Sequence, residues 1–209
     1  MANLKWLTGL DAPKGIDFAG RKLHVADIDQ LVDLGEATGQ ITSRYPAEGA
    51  QFLNDVAAGP DGKIFVSDRF AASVWVLDGG KLSLFVQDPM LMGANGLPVQ
   101  DGALLVADLG DISGGFANTK PGPVARVDPA TKAVSAYGAE GPVGVLDGIE
   151  PDGKGGVSLT DNPAGKVLRL AGLACQRRLS VAVRVWRGGA DWRNPGCCVA
   201  MRPGRAESS

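Results

Sequence analysis

The chain has 209 residues and a formal net charge of −2, and 44% of its residues are hydrophobic. This hydrophobic content excludes a disordered chain, and the near-neutral charge argues against nucleic-acid binding through charge alone. The apolar runs are much shorter than the roughly 20 residues of a membrane-spanning helix. The first residues also lack the pattern of a signal peptide. We expect no nucleic-acid or membrane partner. The sequence does not determine the cellular compartment. Without a signal peptide this chain is expected in the cytoplasm, whereas a longer protein of which it is a part could be exported.

Four stretches of the body repeat one pattern: a small or polar pair, an aliphatic residue, a glycine turn, an apolar strand and an aspartate. The aliphatic positions are Ile16, Val56, Leu97 and Ile149. The aspartates that end the strands are Asp27, Asp68, Asp108 and Asp161. Repeats of about forty residues with an internal period of two are typical of the four-stranded blades of a β-propeller. The repeats lie near residues 12–50, 52–90, 93–140 and 146–170.

Several short segments within the repeats are predicted to be strands. Residues 63–67 and 103–106 have the composition of buried strands, and residues 73–77 and 81–86 flank a glycine turn as in a hairpin. No segment has the periodicity of an amphipathic helix. The third repeat contains a Gly/Pro-rich insertion, residues 110–123. The fold class predicted is therefore all-β, a β-propeller, and the alternative is a β-sandwich with coincidental internal similarity.

The number of repeats is smaller than a closed propeller needs. Residues 1–170 hold about four repeats, whereas propellers with repeats of this length usually have six or more blades. Residues 3–7 are predicted to be the outermost strand of a blade that begins upstream of Met1. Residues 166–170 are predicted to be the third strand of a last blade. We therefore expect a partial propeller of the six-bladed type, incomplete at both ends.

The last part of the chain, residues 171–209, does not continue the repeat. Residues 1–170 carry 14 basic and 21 acidic side chains, a net charge of −7, whereas residues 171–209 carry 7 and 2, a net charge of +5. All seven basic residues there are Arg, and Cys175, Cys197 and Cys198 also lie in this tail. The cysteine spacing does not match a zinc site. Out-of-frame translation or disorder is the leading interpretation, and a basic interaction tail is the alternative.

A candidate site lies at the start of the first strand of each repeat, where side chains point into the mouth of a propeller's channel. The residues at this position are Lys14, Asn54, Asn95 and Asp147. Two amides and one carboxylate supply the oxygen ligands that Ca²⁺ or another hard divalent cation prefers. Asn-Gly and Asp-Gly are also common turn dipeptides, so the repetition at one blade position is what favours a site.

The stretches FLNDVAAGPDG, GANGL and LDGIEPDG resemble the regucalcin/gluconolactonase (senescence marker protein) family, and the resemblance covers roughly residues 4–170. It implies a six-bladed propeller that binds one divalent metal, Ca²⁺ foremost and Zn²⁺ or Mn²⁺ as alternatives, and hydrolyses sugar lactones. In the family the metal ligands are one Glu, two Asn and one Asp. Asn54, Asn95 and Asp147 match the last three. The Glu would lie about eighty residues before Asn54, upstream of Met1.

The resemblance implies a metal-dependent lactone hydrolase in which Asp147 acts as general base or serves only as a ligand. The insertion at residues 110–123 is either a substrate lid or a surface loop. The alternative function is a non-catalytic propeller of the NHL type that binds a protein or a small ligand. A third hypothesis is that this chain is an inactive fragment of a longer hydrolase.

Other conspicuous residues are predicted to be structural. His24 lies within a strand and has no second His or Cys nearby in the sequence. The four strand-ending aspartates repeat too regularly for catalysis and are expected to cap the adjoining turns. Trp75 and Phe85 are expected to pack between blades.

Overall fold

The computed structural model describes residues 6–115, 118–138 and 141–171. These residues form four antiparallel sheets that follow one another along the chain, and in each sheet neighbouring strands are consecutive in sequence. This is an all-β, propeller-like arrangement of four blades, as the repeat predicts. Helical structure in the described part includes a turn of 3-10 helix, Pro89–Leu91, and no helix there has the length and apolar character needed to cross a bilayer.

The strands are numbered in chain order, and each sheet is one blade. Blade 1 contains β1 (Ile16–Ala19), β2 (Lys22–Asp27), β3 (Gln30–Gly35) and β4 (Ile41–Pro46). Blade 2 contains β5 (Leu53–Ala58), β6 (Ile64–Asp68), β7 (Ser73–Asp78) and β8 (Lys81–Gln87). Blade 3 contains β9 (Val99–Gln100), β10 (Ala103–Ala107), β11 (Val124–Val127) and β12 (Val134–Ala136). Blade 4 contains β13 (Leu146–Pro151), β14 (Gly156–Asp161) and β15 (Lys166–Ala171).

Two-residue turns close the hairpins because their central residues adopt a positive φ. Gly79 and Gly80 have φ values of 57° and 84° between β7 and β8, which confirms the predicted glycine hairpin. Between β1 and β2, Gly20 and Arg21 have φ values of 57° and 64°. A positive φ at both central residues matches the right-handed twist of the paired strands.

The core consists of apolar layers between successive blades. In β6, Ile64 and Val66 pack toward blade 1, whereas Phe65 packs toward blade 3. Successive side chains of a strand point to opposite faces, so a strand with a neighbour on each side needs an uninterrupted apolar sequence. Trp75 lies in the layer between blades 1 and 2, and Phe85 packs against the layer between blades 2 and 3. Both residues therefore have the predicted packing role.

Three of the four aspartates at the ends of the second strands accept hydrogen bonds from backbone N–H groups that precede the first strand of the same blade. Their carboxylates tie the entry of blades 1, 2 and 3 to the second strand, whereas the fourth, Asp161, accepts from Ala164 N at 3.4 Å in the turn that follows it. These contacts confirm a structural role. The bonds are Ala12 N to Asp27 (2.8 Å), Gln51 N and Phe52 N to Asp68 (2.8 and 2.9 Å), and Gly93 N to Asp108 (3.0 Å).

His24 belongs to a buried polar network inside blade 1. Its Nδ1 lies 2.7 Å from Asp33 Oδ1, and Lys22 Nζ and the Tyr45 hydroxyl donate to Asp33 Oδ2 at 3.0 and 3.1 Å. Burial raises the pKa of Asp33, but the hydrogen bonds from His24 and Lys22 outweigh it and the net shift is downward. The network links three strands, so His24 is structural, as predicted.

The Gly/Pro-rich insertion connects β10 and β11, at the same end of the blade as the start of the first strands. Asp111 and Lys120 exchange two backbone hydrogen bonds of 3.1 and 3.0 Å at its base. Gly110 has a φ of 90°, and a Cβ there would overlap the Lys120 carbonyl oxygen. Any other residue at this position would therefore open the base of the loop.

The predictions for the two ends of the chain have different outcomes. The predicted strand at residues 166–170 is confirmed as β15, the third strand of blade 4. For the predicted strand at residues 3–7, Trp6 and Leu7 are not in a strand, and residues 3–5 lie outside the described residues. Residues 172–209, which include the three cysteines, also lie outside them.

Candidate functional site

Asn54 and Asp147 lie on bulges at the start of the first strands of blades 2 and 4, whereas Lys14 and Asn95 precede the first strands of blades 1 and 3. The register shifts by one residue between Leu53 and Val56 in blade 2, and between Leu146 and Ile149 in blade 4. Two residues then oppose one residue of the second strand. A bulge bends the strand and re-aims the side chains of the extra residue. This geometry turns Asn54 and Asp147 away from the ladder.

The structure brings Asn54, Asn95 and Asp147 together although 93 positions separate the first from the last. Asn54 Nδ2 donates to Asn95 Oδ1 at 2.5 Å, and Asn95 Nδ2 donates to Asp147 Oδ1 at 3.0 Å. Asn95 is 4% exposed, whereas Asp147 is exposed to solvent. Three blades therefore contribute one polar row that begins in the interior and ends at the surface.

Asn162 extends this row at its exposed end. Its Nδ2 donates to Asp147 Oδ2 at 3.2 Å, so Asn95 and Asn162 hold one carboxylate oxygen each. Asn162 directly follows the strand-ending Asp161, and its contact with Asp147 was not anticipated from the sequence. The position after each strand-ending aspartate is the signal that would have identified it.

Hydrogen bonds between blades fix the backbone of the three residues that form the polar row, Asn54, Asn95 and Asp147. Gly15 N donates to Asn54 O at 2.6 Å, and Gly96 N donates to Asp147 O at 3.1 Å. Between blades 2 and 3, the buried Ser67 hydroxyl donates to Asn95 O at 2.7 Å. Because each site residue is held by the preceding blade, the polar row is organised before any ligand binds.

A second carboxylate, Asp55, directly follows Asn54 in the chain. It accepts hydrogen bonds from Leu97 N of blade 3 at 2.8 Å and from its neighbour Val56 N at 2.9 Å. Burial raises the pKa of Asp55 to about 6, and the nearby charges of Glu150 and Asp17 act in the same direction against the two hydrogen bonds. Asp55 thus joins blades 2 and 3 and is protonated more readily than an ordinary aspartate.

Two positively charged side chains lie at the same mouth. Lys14 occupies the blade 1 position that corresponds to Asn54, and its Nζ lies 5.3 Å from the centre of the Phe52 ring. Arg69 follows the strand-ending Asp68, as Asn162 follows Asp161, and its Cζ lies 6.0 Å from the same ring. Arg69 was not singled out from the sequence, although its position after Asp68 is the same signal that identifies Asn162.

The donor chemistry of the polar row fits a hard cation. Carboxylate and amide oxygens suit Ca²⁺, and the amide of an Asn can turn about a soft terminal torsion to present oxygen instead of nitrogen. The row supplies one formal negative charge, that of Asp147. Among the described residues no group of three or more His, Cys, Asp or Glu side chains is placed to hold a metal ion. Asn54, Asn95 and Asp147 would be the ligands, and binding would have to replace the hydrogen bonds between them.

Solved structures that resemble this chain are propellers. The chain has the β-propeller fold. A virginiamycin B lyase from Staphylococcus aureus superposes with a TM-score of 0.62 and 15% identity over 78% of this chain and 53% of that protein. Hydrazine synthase from Kuenenia stuttgartiensis superposes with a TM-score of 0.54 and 18% identity over 78% of this chain and 50% of that protein.

A third similar structure is a protein of unknown function from Bacteroides thetaiotaomicron, with a TM-score of 0.61 and 16% identity over 76% of this chain and 47% of that protein. The chain therefore spans about half the length of the solved structures it matches. The sequence matches no protein-family model and no curated protein. At these identities the likeness establishes the propeller fold alone, so the function must be argued from the site.

Proposed function

We propose that the chain is part of a metal-dependent hydrolase that acts on a lactone or a similar small ester, with Asn54, Asn95 and Asp147 as metal ligands. The observation that carries the proposal is the hydrogen-bonded contact of these three side chains across three blades. A propeller of the six-bladed type and Ca²⁺ as the metal belong to the same proposal. The similarity to the folds of a virginiamycin B lyase and a hydrazine synthase is compatible with an enzyme.

The chemistry at Asp147 follows from its surroundings. Its carboxylate is open to solvent, and Asn95 and Asn162 each donate to one of its oxygens. Each carboxylate oxygen has a further lone pair, so Asp147 can still accept a proton from a water molecule beside a bound ester. A divalent cation, when bound, would polarise the ester carbonyl and acidify that water. Asn54 and Asn95 would orient the reacting groups without changing charge.

The insertion between β10 and β11 is proposed to cover a bound substrate. It leaves blade 3 at the mouth, and Gly122 N donates to Gly144 O at 2.8 Å in the segment that leads into blade 4. This contact places the end of the insertion beside the strand that carries Asp147. Covering the site would exclude bulk water and strengthen the electrostatic interactions inside it.

Calcium binding and lactone hydrolysis by the complete chain test this proposal. Isothermal titration with CaCl₂ and an assay of glucono-δ-lactone opening would be carried out on the wild type, on Asp147→Asn and on Asp78→Asn. Asp78 is an exposed carboxylate at the end of β7, so its variant is a matched control for the loss of one charge. We expect Asp147→Asn to weaken calcium binding and to lower hydrolysis by about 100-fold or more, the typical contribution of a general base.

The outcomes separate the candidate functions. Calcium binding and hydrolysis that are lost in Asp147→Asn and kept in Asp78→Asn support the hydrolase. Calcium binding without hydrolysis would support the ligand site and contradict the catalytic role for this chain. If neither is observed, the proposal is wrong, and a non-catalytic propeller that binds a protein or small ligand takes its place.

A further inference from the structure

Asp147 has two roles in the proposed function, as ligand of a cation and as acceptor of a proton, and a single carboxylate serves both. The two oxygens of this carboxylate have different partners. Asn95 Nδ2 donates to Oδ1 at 3.0 Å, on the side of the polar row, and Asn162 Nδ2 donates to Oδ2 at 3.2 Å, on the side of the turn between β14 and β15. The two oxygens are therefore distinguished before any ligand binds.

The backbone of Asn162 is held at both of its polar groups. Its N–H donates to Val145 O at 3.2 Å, in the segment that leads into β13, and its carbonyl oxygen accepts from Gly165 N at 3.1 Å across the turn. Because Val145 lies two residues before Asp147, the first of these contacts places Asn162 beside the bulge that carries Asp147. The side-chain amide has no part in either contact, and its hydrogen bond goes to Asp147.

The position that Asn162 occupies differs from blade to blade. The residues that follow the strand-ending aspartates of blades 1, 2 and 3 are Ile28, Arg69 and Leu109. Of the four described blades, blade 4 is the one with a side-chain amide at this position, and it is also the one whose site residue is a carboxylate. An amide donates a hydrogen bond without adding charge, so Asn162 orients Asp147 and leaves its negative charge in place.

A cation bound by the polar row would affect the two hydrogen bonds of Asp147 differently. Asn95 has to turn its amide oxygen to the cation, and its hydrogen bond to Oδ1 is then lost. Asn162 is outside the set of proposed ligands, so its hydrogen bond to Oδ2 can persist. Ca²⁺ accepts a carboxylate through one oxygen or through both. A contact that holds Oδ2 toward the turn therefore selects binding through Oδ1 alone.

We propose that Asn162 is a positioning residue that limits Asp147 to binding the cation through Oδ1 and keeps Oδ2 as the proton acceptor. The inference rests on the proposed function for the cation and the ester. In the reaction a proton of the attacking water passes to Oδ2 while the water oxygen bonds to the carbonyl carbon of the ester. The bond from that carbon to the leaving oxygen then breaks, and the leaving oxygen takes the proton from Oδ2. Binding through one oxygen also leaves a coordination position of the cation to water.

Terbium luminescence of the complete chain tests the role of Asn162, because the decay rates in H₂O and D₂O give the number of water molecules on the bound ion. Like Ca²⁺, the probe Tb³⁺ is a hard cation that prefers oxygen ligands. The variant is Asn162→Ala. Without the hydrogen bond to Oδ2, Asp147 can bind through both oxygens, and we expect about one water molecule fewer on the ion than in the wild type. Isothermal titration with CaCl₂ should give an affinity no weaker than that of the wild type.

Hydrolysis of glucono-δ-lactone at saturating calcium gives a second measurement. We expect Asn162→Ala to lower kcat about tenfold, because Oδ2 is no longer held as the proton acceptor. A residue that only stabilises the local fold would instead weaken calcium binding together with hydrolysis. Lower kcat without weaker calcium binding is therefore specific to the proposed role.

Gln87→Ala is the matched control. Gln87 also has an exposed side-chain amide that donates one hydrogen bond, from Nε2 to Ala71 O at 2.8 Å, but it lies at the end of β8 in blade 2. We expect this variant to keep the wild-type number of water molecules on the ion and the wild-type calcium affinity. Because Asn162 is exposed, Asn162→Ala should fold, and the melting temperatures of both variants in a chelator would verify this without metal.

Three results would overturn the role of Asn162: an unchanged number of water molecules in Asn162→Ala, the same loss of water in Gln87→Ala, or weaker calcium binding by Asn162→Ala. This role and the proposed function fail in different ways. Hydrolysis by the wild type with unchanged hydration in Asn162→Ala contradicts the positioning role and supports the hydrolase. Loss of water in Asn162→Ala without hydrolysis by the wild type does the reverse. If neither ion binds the wild type, both are wrong.

Discussion

Blades 1 and 3 hold their site segments differently from blades 2 and 4. In blades 1 and 3 the site residue itself donates its backbone N–H to a backbone carbonyl of the second strand, Lys14 N to Ala26 O at 2.9 Å and Asn95 N to Ala107 O at 2.9 Å. In blades 2 and 4 a side-chain hydroxyl of the second strand accepts the hydrogen bond from the residue after the site position. Asp55 N donates to Ser67 Oγ at 2.9 Å, and Gly148 N donates to Thr160 Oγ1 at 2.8 Å.

The difference goes with the residue that follows the site position, as the contacts of blades 1 and 3 show. In blades 1 and 3 the residue after the site position is Gly15 or Gly96, and its N–H bonds to the following blade. A side chain there would meet that blade's backbone. In blades 2 and 4 this N–H instead points back into its own blade, and a hydroxyl replaces the missing backbone acceptor. The repeat is therefore regular in sequence but alternates in the way successive blades are joined.

Replacing the close-approach glycines should have the largest effect. A Cβ on Gly15 would lie 2.6 Å from Asp55 Cα and overlap the Asp55 carboxylate, and a Cβ on Gly96 would lie 2.7 Å from Asp147 O. We expect Gly15→Ala and Gly96→Ala each to lower the free energy of unfolding by about 3 kcal/mol. Gly148→Ala is the control, since its Cβ would lie 3.4 Å from Thr160 Oγ1. Urea unfolding would measure all three, and equal stability of Gly96→Ala and Gly148→Ala would contradict the alternation.

Removing the two hydroxyls should give unequal, smaller effects. Ser67 is fully buried and bonds both Asp55 N and Asn95 O, whereas Thr160 is exposed and accepts from Gly148 N. We expect Ser67→Ala to cost about 2 kcal/mol because it leaves a buried donor and acceptor unpaired. Thr160→Val should cost less than about 1 kcal/mol, because water can replace the hydroxyl. Thermal unfolding of both variants would measure the two losses of stability. Equal losses would contradict the expectation that the cost of removing the hydroxyl depends on its burial.

The carboxylate that joins blades 2 and 3 should make stability depend on pH. The pKa of Asp55 is raised from 3.8 to about 6 in the folded chain, so between these values the folded state binds more protons than the unfolded state. Its contribution to the free energy of unfolding is therefore complete below pH 4 and is lost as the pH rises through 6, roughly 3 kcal/mol in all. Asp55→Asn should remove this slope while keeping an acceptor for Leu97 N.

Burial also raises the pKa of Asp108, so Asp108 contributes to the pH dependence as well. The effect of Asp55 alone is therefore obtained at each pH by subtracting the free energy of unfolding of Asp55→Asn from that of the wild type. Urea unfolding from about pH 4 to pH 7 in the presence of a chelator would provide it. A difference that stays constant over this range would show that Asp55 titrates like an ordinary aspartate.

The blade architecture could be read from the sequence because it is encoded locally. The apolar strands, the glycine turns and the strand-ending aspartates lie within about twenty residues of one another in each repeat. The equivalence of Asn54, Asn95 and Asp147 follows from the same repeat. The contacts that Arg69 and Asn162 make with Phe52 and Asp147 could not be read in this way, because the residue after the strand-ending aspartate differs from repeat to repeat and the packing decides where its side chain lies.

The sequence by itself determined that this chain builds four-stranded blades and that one polar residue from each of three blades points to a common end. Periodicity carries that information, since side-chain direction along a strand is fixed by the backbone. Only the tertiary structure decided which backbone atoms each blade presents to the next, and therefore where glycine is required and where a hydroxyl substitutes. It also placed two cations beside a row that the sequence alone assigned to a metal. Distances between blades are set by packing across their interfaces, which no single repeat encodes.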